Sequence, residues 1–253
     1  MRYIEYITEA ARDVDDRALA DALRRGLKSV EKTQVQSRVQ SGRLDRRAIT
    51  RTQTGAQDVY SRRVYTPGVT TSVLVMLDNS GSTNKHAFSN RSLLHDMLGT
   101  IAKLLPALDR AGARNAAAVH CLEMDHPQGR ATIGVFKPWG QKTSTPRFIH
   151  DFWPICAQVS TPLGAEALWA QREMLNQRTE RRVVLWLGDG KPNEPVPAMR
   201  VLFDQFAKTP VEHYGIGLAC DLTGVYSPER SITVYDFKAL PSAIEKMLTG
   251  GAK

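Results

Sequence analysis

The sequence predicts an α/β protein, a doubly wound and mostly parallel sheet preceded by an N-terminal helical extension. From Thr71 onward, short apolar runs alternate with amphipathic segments, the order that builds strand–helix–strand crossovers. Two of the runs, Val73–Leu77 and Val183–Leu187, are apolar at every position, as strands covered on both faces are. Both end in acidic, glycine-containing loops, Asp78-Asn79-Ser80-Gly81-Ser82 and Gly188-Asp189-Gly190. Open α/β sheets hold their ligands at such strand ends.

Residues 1–35 read as helical. Ile4, Ile7, Ala11 and Val14 form one apolar stripe, and Leu19, Leu23, Leu27 and Val30 form a second at helical spacing, with Asp15 or Asp16 placed to cap it. Residues 36–70 are rich in Gln, Ser, Arg and Thr and read as an extended connection, with short strand pieces near Val59-Tyr60 and Val64-Tyr65. Strands follow at Val73–Leu77, Ala116–Leu122, Thr132–Phe136, Arg182–Leu187, Glu212–Leu218 and Ser231–Val234. Helices are expected over Ser92–Asp109, Leu163–Arg178, Pro197–Lys208 and Leu240–Leu248, with Pro162 and Pro197 where a first turn tolerates proline. Too few residues separate Leu122 from Thr132 for a helical crossover, so Thr132–Phe136 is read as an antiparallel edge strand. Trp139, Phe148 and Trp153 fall among Pro138, Gly140, Pro146 and Pro154, which marks a loop-rich insertion near the crevice. Two regions result: residues 1–67, a basic helical extension and linker, and residues 68–253, the α/β domain.

Composition narrows the function. No apolar run reaches the ~18 residues of a membrane span, and Glu5 and Glu9 interrupt any signal-like N-terminus, so a cytoplasmic protein is expected. Cys121, Cys156 and Cys220 lack CxxC spacing and read as reduced thiols. The formal charge is +8, and residues 1–63 hold 14 Lys/Arg against 9 Asp/Glu. A basic arm can meet nucleic acid or an acidic partner, or be a solvated face. No aromatic residue interleaves with Arg24, Arg25, Lys28 and Lys32, which argues against a stacking platform for single strands.

The chemistry converges on one crevice. Asp78-x-Ser80-x-Ser82 sets a carboxylate and two hydroxyls at alternate positions, all hard oxygen donors suited to a small divalent cation. Thr161, in Ser160-Thr161-Pro162-Leu163-Gly164, stands just before a helix, and Asp189 ends a strand parallel to the first. Singly, these are a turn, a helix cap and another turn. In this order, on two strand ends and one helix start, they make a metal site.

Asp78, Ser80, Ser82, Thr161 and Asp189 resemble the metal-ion-dependent adhesion site of von Willebrand factor A (vWA) domains. The resemblance implies a Rossmann-like vWA fold and Mg²⁺, with Mn²⁺ as a substitute. Ser80, Ser82 and Thr161 would be direct ligands, Asp78 and Asp189 would orient waters, and a partner's acidic side chain would fill the sixth position. Gly42-Arg43-Leu44-Asp45, Val59-Tyr60-Ser61-Arg62-Arg63, Val75–Ser82, Asp189-Gly190-Lys191-Pro192-Asn193 and Gly215-Ile216-Gly217-Leu218 with Asp221-Leu222-Thr223 are similar to the CobT-type subunit of aerobic cobaltochelatase. That implies an AAA+ ATPase ring of the MoxR-like class as partner, and a client protein on which the pair acts. Thr83 stands where that family usually has methionine, and the family's long N-terminal part and acidic middle segment have no counterpart. The expectation is therefore a compact relative acting as a non-catalytic adaptor, with a true cobalt-inserting subunit as the narrower alternative.

Two other classes compete. Phosphoaspartate-type hydrolases resemble Asp-x-Asp-x-Thr, but position 80 is serine, so the second carboxylate that protonates a leaving group is missing. No Gly-x-Ser-x-Gly elbow surrounds Ser80, and His86, His95, His120, His126, His150 and His213 show no metal spacing, His120 reading as a core residue. There is no GxxxxGK[ST] phosphate loop, so a partner must bind any ATP. Nucleic-acid binding through the basic N-terminal arm is the remaining alternative.

Overall fold

The computed structural model describes residues 12, 14–27, 33–46, 48, 50, 55–65, 71–85, 91–122, 131–143, 162–190 and 192–250. They fall into two compact units: residues 28–69, and residues 1–27 together with 70–253.

The larger unit is built on six strands: β4 (Thr71–Leu77), β5 (Arg114–Leu122), β6 (Ala131–Lys137), β7 (Arg181–Gly188), β8 (Val211–Leu218) and β9 (Ser231–Val234). Their order is β6-β5-β4-β7-β8-β9, with β6 antiparallel to β5 and every other pair parallel. The doubly wound sheet and its antiparallel edge are those expected from the sequence. Helices α1 (Asp16–Gly26), α2 (Leu93–Ala111), α3 (Leu163–Leu175), α4 (Val196–Phe206) and α5 (Leu240–Gly250) complete the unit.

Strand β4 shows how the layers form. Side chains alternate across a strand, so Val73, Val75 and Leu77 enter a core shared with Leu19, Leu23, Ile101, Leu105 and Ile244 of α1, α2 and α5. Leu74 and Met76 enter a second core with Ala167, Met174, Met199 and Phe203 of α3 and α4. Both faces of β4 are therefore buried, which is why its sequence is apolar without a break.

Helix α1 belongs to this unit rather than to a detached arm. Asp15 caps it as expected, its carboxylate accepting from the N–H groups of Arg17 (2.8 Å) and Ala18 (3.0 Å). Its C-terminal end is held by Arg181 at the start of β7, whose guanidinium donates to the carbonyls of Gly26 and Leu248 and grips Glu212 with two bonds of 2.8 and 2.7 Å. One cation thus satisfies the orphan carbonyls that end α1 and α5, where the helix dipoles favour positive charge.

The smaller unit holds a three-stranded antiparallel sheet ordered β1-β3-β2, from β1 (Thr33–Val39), β2 (Arg43–Leu44) and β3 (Tyr60–Tyr65). Residues 33–35 are strand, not the helix expected from the apolar spacing, because their partners are Tyr65, Val64 and Arg63 across the sheet. This unit also carries the basic excess: nine Lys/Arg against three Asp/Glu over 28–69, compared with five against six over 1–27. The charge assigned to basic helices therefore lies mainly in residues 28–69, where Arg38, Arg43, Arg62 and Arg63 fall on strands. Ile4, Ile7, Ala11, Val30, Phe148 and Trp153 lie outside the described residues, as does the side chain of His120. Trp139 is described; its ring N–H donates to Glu173 at 2.7 Å, and the guanidinium of Arg114 lies over its ring. No helix among the described residues is long and apolar enough to cross a membrane.

His213 on β8 gives the fold a pH dependence. Its Nε2 lies 2.8 Å from Gln171 Oε1, and its Nδ1 accepts from the Trp186 indole N–H at 3.2 Å, a pattern that fixes the neutral tautomer. Burial, aided by the charge of Arg230, pushes its pKa down to about 3 from 6.5. Above pH 6.5 both folded and unfolded chains hold it neutral. As the pH falls from 6.5 towards 3, the unfolded chain takes up a proton that the fold refuses, so stability is lost across that window. Denaturant melts of His213→Asn are expected to show lower stability than wild type at pH 7 but a flatter decline between pH 6.5 and 4. An unchanged decline would assign acid sensitivity to other groups.

Candidate metal centre

Register brings the two acidic loops together. Strands β4 and β7 are parallel neighbours in which Leu77 pairs with Leu187, and the Asp78 N–H donates to the Leu187 carbonyl at 2.8 Å. Asp78 thus leaves the sheet beside Gly188, with Asp189 one residue further along. A side chain at 188 would crowd the site, since a Cβ there would fall 3.0 Å from both Cβ and Oδ2 of Asp78. Gly190 turns the chain away with a left-handed φ of 70°, where a Cβ would meet Leu222 at 2.7 Å.

The first loop is a tight scaffold. The Ser80 N–H donates to Asp78 Oδ1 at 2.9 Å, an Asx-type turn that folds the chain back on the carboxylate. The Ser80 and Ser82 hydroxyls then face each other at 2.9 Å. Beneath them the buried Thr83 hydroxyl donates to the Ser80 carbonyl at 2.6 Å and locks the short 3-10 turn Gly81–Asn84. Asp189 is buried to 8 % exposure. The carboxyl of Asp78 is pushed up from its ordinary pKa by withdrawal from water and the charge of Asp189, against hydrogen bonds from the Ser80 and Asp189 N–H groups. A small cavity of about 30 Å³ lies alongside, lined by Asp78, Leu163, Glu166, Trp186, Leu222 and Tyr226 among others.

Asp78, Ser80, Ser82 and Asp189 are thus brought to one crevice; Thr161 lies outside the described residues, and helix α3 begins two residues after it. Among the described residues no three His, Cys, Asp or Glu side chains cluster as metal ligands, so a cation here would depend on hydroxyl donors. The donor spacing fits one: two oxygens at ~2.1 Å from an octahedral Mg²⁺, at adjacent vertices, stand about 3.0 Å apart. The Ser80–Ser82 separation of 2.9 Å is close to that. Sequence reasoning missed Thr83 as the lock beneath Ser80, although a hydroxyl three residues after a turn residue is a readable signal. It also missed Glu194, whose Oε1 accepts from the Gly164 N–H at 2.9 Å at the start of α3.

Solved structures similar to this chain are vWA domains and their relatives. BatB from Bacteroides thetaiotaomicron matches with a TM-score of 0.51 at 14% identity, covering 72% of this chain and 98% of its own. The VWA domain of SpRpn10 (TM-score 0.48, 11% identity, 68% and 93% covered) and manganese-loaded Plasmodium vivax TRAP (0.49, 11%, 70% and 73%) are also similar. At these identities the likeness is one of fold alone. No protein-family model matches the sequence, and no curated protein does.

Because a methyl group at position 188 must displace Asp78, Gly188→Ala is expected to fold yet shift the backbone amide resonances of Ser80 and Asp189, whose N–H groups bond that carboxylate. Unmoved resonances would show that the two loops do not touch.

Proposed function

We propose that this chain is a non-catalytic protein-binding module whose crevice, at the C-terminal ends of β4 and β7, binds a partner through a divalent cation. The observation that carries this reading is the pair of Ser80 and Ser82 hydroxyls, 2.9 Å apart, set against the Asp78 carboxylate beside Asp189. Ser80, Ser82 and Thr161 would hold Mg²⁺ (or Mn²⁺) directly, with Asp78 and Asp189 accepting hydrogen bonds from its waters. With neutral hydroxyls as direct ligands, the ion keeps its charge unspent and offers a position to an anionic ligand. An Asp or Glu of a partner supplies that ligand. Serine at position 80 replaces the second carboxylate of the Asp-x-Asp-x-Thr pattern that protonates a leaving group, which favours binding over hydrolysis.

The partner we assign is an AAA+ ATPase ring of the MoxR-like class or its client, from the CobT-like motifs, with the chain acting as an accessory subunit. Cobalt insertion is the narrower form of this role. One observation favours a second reading: the excess of nine Lys/Arg over three Asp/Glu in residues 28–69 suits a polyanion such as nucleic acid.

Pull-downs with the full chain separate the two. The adaptor reading expects an AAA+ ATPase to be recovered in Mg²⁺, and lost in chelator or with Asp78→Ala or Ser80→Ala. Recovery indifferent to metal and to both substitutions contradicts it. Binding to nucleic acid that weakens steeply with salt and ignores Asp78→Ala would favour the second reading.

A further inference from the structure

Among the described residues, none at the start of helix α3 caps it. Its N-cap residue is Pro162, which makes no side-chain bond to the first turn, yet helix N-termini leave N–H groups that need acceptors. The acceptor comes from 30 residues away: Glu194 Oε1 takes the Gly164 N–H at 2.9 Å. The fit is close, since a Cβ on Gly164 would lie 3.0 Å from that oxygen and 3.3 Å from Met199 Cε. The other oxygen, Oε2, is buried with no hydrogen-bond partner among the described residues. The carboxylate, with that one oxygen shut from water, is held by its one bond and by the positive end of the helix dipole.

The position of this contact in the chain gives it a consequence. Glu194 lies five residues after Asp189, on the same β7–α4 loop, and Gly164 lies three residues after Thr161. The bond therefore ties the loop bearing one candidate metal residue to the helix start that follows another. We propose that Glu194 is a positioning residue of the metal centre: it touches no metal, but it fixes the Asp189 loop against the start of α3. This rests on the function proposed above. Mg²⁺ tolerates little departure from octahedral geometry, so releasing the Asp189 loop from the start of α3 should weaken binding. Loss of supporting contacts behind metal ligands typically costs about 10–100-fold in affinity.

The test is calorimetric titration of the full chain with Mg²⁺ and with Mn²⁺, together with amide hydrogen exchange at Gly164. Wild type is expected to bind and Asp78→Ala to fail. Glu194→Ala should bind at least about tenfold more weakly, with faster exchange at Gly164, while Glu194→Gln, which keeps the acceptor oxygen, stays within about threefold of wild type. Should Glu194→Ala fail to fold, Glu194→Asp, one methylene shorter, takes its place. Wild-type affinity in a folded Glu194→Ala or Glu194→Asp variant overturns the inference and leaves the function standing, because a purely structural cap would change stability alone. Failure of wild type to bind either ion overturns the function, and the inference with it.

Discussion

The parallel pairing of β4 with β7 is the constraint from which the rest of the candidate site follows. Seven consecutive partners, from Thr71 with Arg181 to Leu77 with Leu187, fix where each strand ends. A slip of one residue would exchange the faces of Val73, Val75 and Leu77 with those of Leu74 and Met76. Both layers of helices would then lose their packing, so the two hydrophobic cores hold the register. The same register sets Asp78 beside Gly188, the position without a side chain, which leaves room for the Asp78 carboxylate next to Asp189.

Two carboxylates at one sheet edge are costly without compensation. Part is visible in the loop itself, where the Ser80 and Asp189 N–H groups donate to Asp78. In the same loop the Ser80 and Ser82 hydroxyls face each other, and the Thr83 hydroxyl anchors the Ser80 carbonyl. Such an arrangement suits binding a cation weakly enough that a partner's carboxylate completes the shell. A set of direct carboxylate ligands would neutralise the ion and leave less attraction for a further anion.

Much of the fold was readable in the sequence because the strands of the central sheet are buried on both faces and so appear as unbroken apolar runs. The edge strand β6 was readable from chain length alone, since the nine residues between Leu122 and Thr132 cannot form a helical crossover. Strand β1 was not: Val30 and Leu27 extend a helical apolar spacing towards it, and only pairing with distant β3 shows residues 33–39 to be extended. In the site, Asp78, Ser80 and Ser82 were readable because their spacing is local, and Asp189 because parallel strands end on one edge. Glu194 was not, because a cap supplied from 30 residues away leaves no pattern beside the helix it serves. The basic charge was visible, but its assignment to residues 28–69 rather than to the first helix needed the division of the chain at residue 28.

The central claim is that hydroxyl oxygens of the first loop, backed by two carboxylates, form a divalent-cation site. Its most direct test is an anomalous difference map from crystals of the protein soaked in Mn²⁺. The account predicts one peak within coordination distance of both Ser80 Oγ and Ser82 Oγ, with Asp78 and Asp189 beyond it and reached through water. A crevice that shows no peak while open to solvent, or manganese bound only by carboxylates elsewhere, would contradict it.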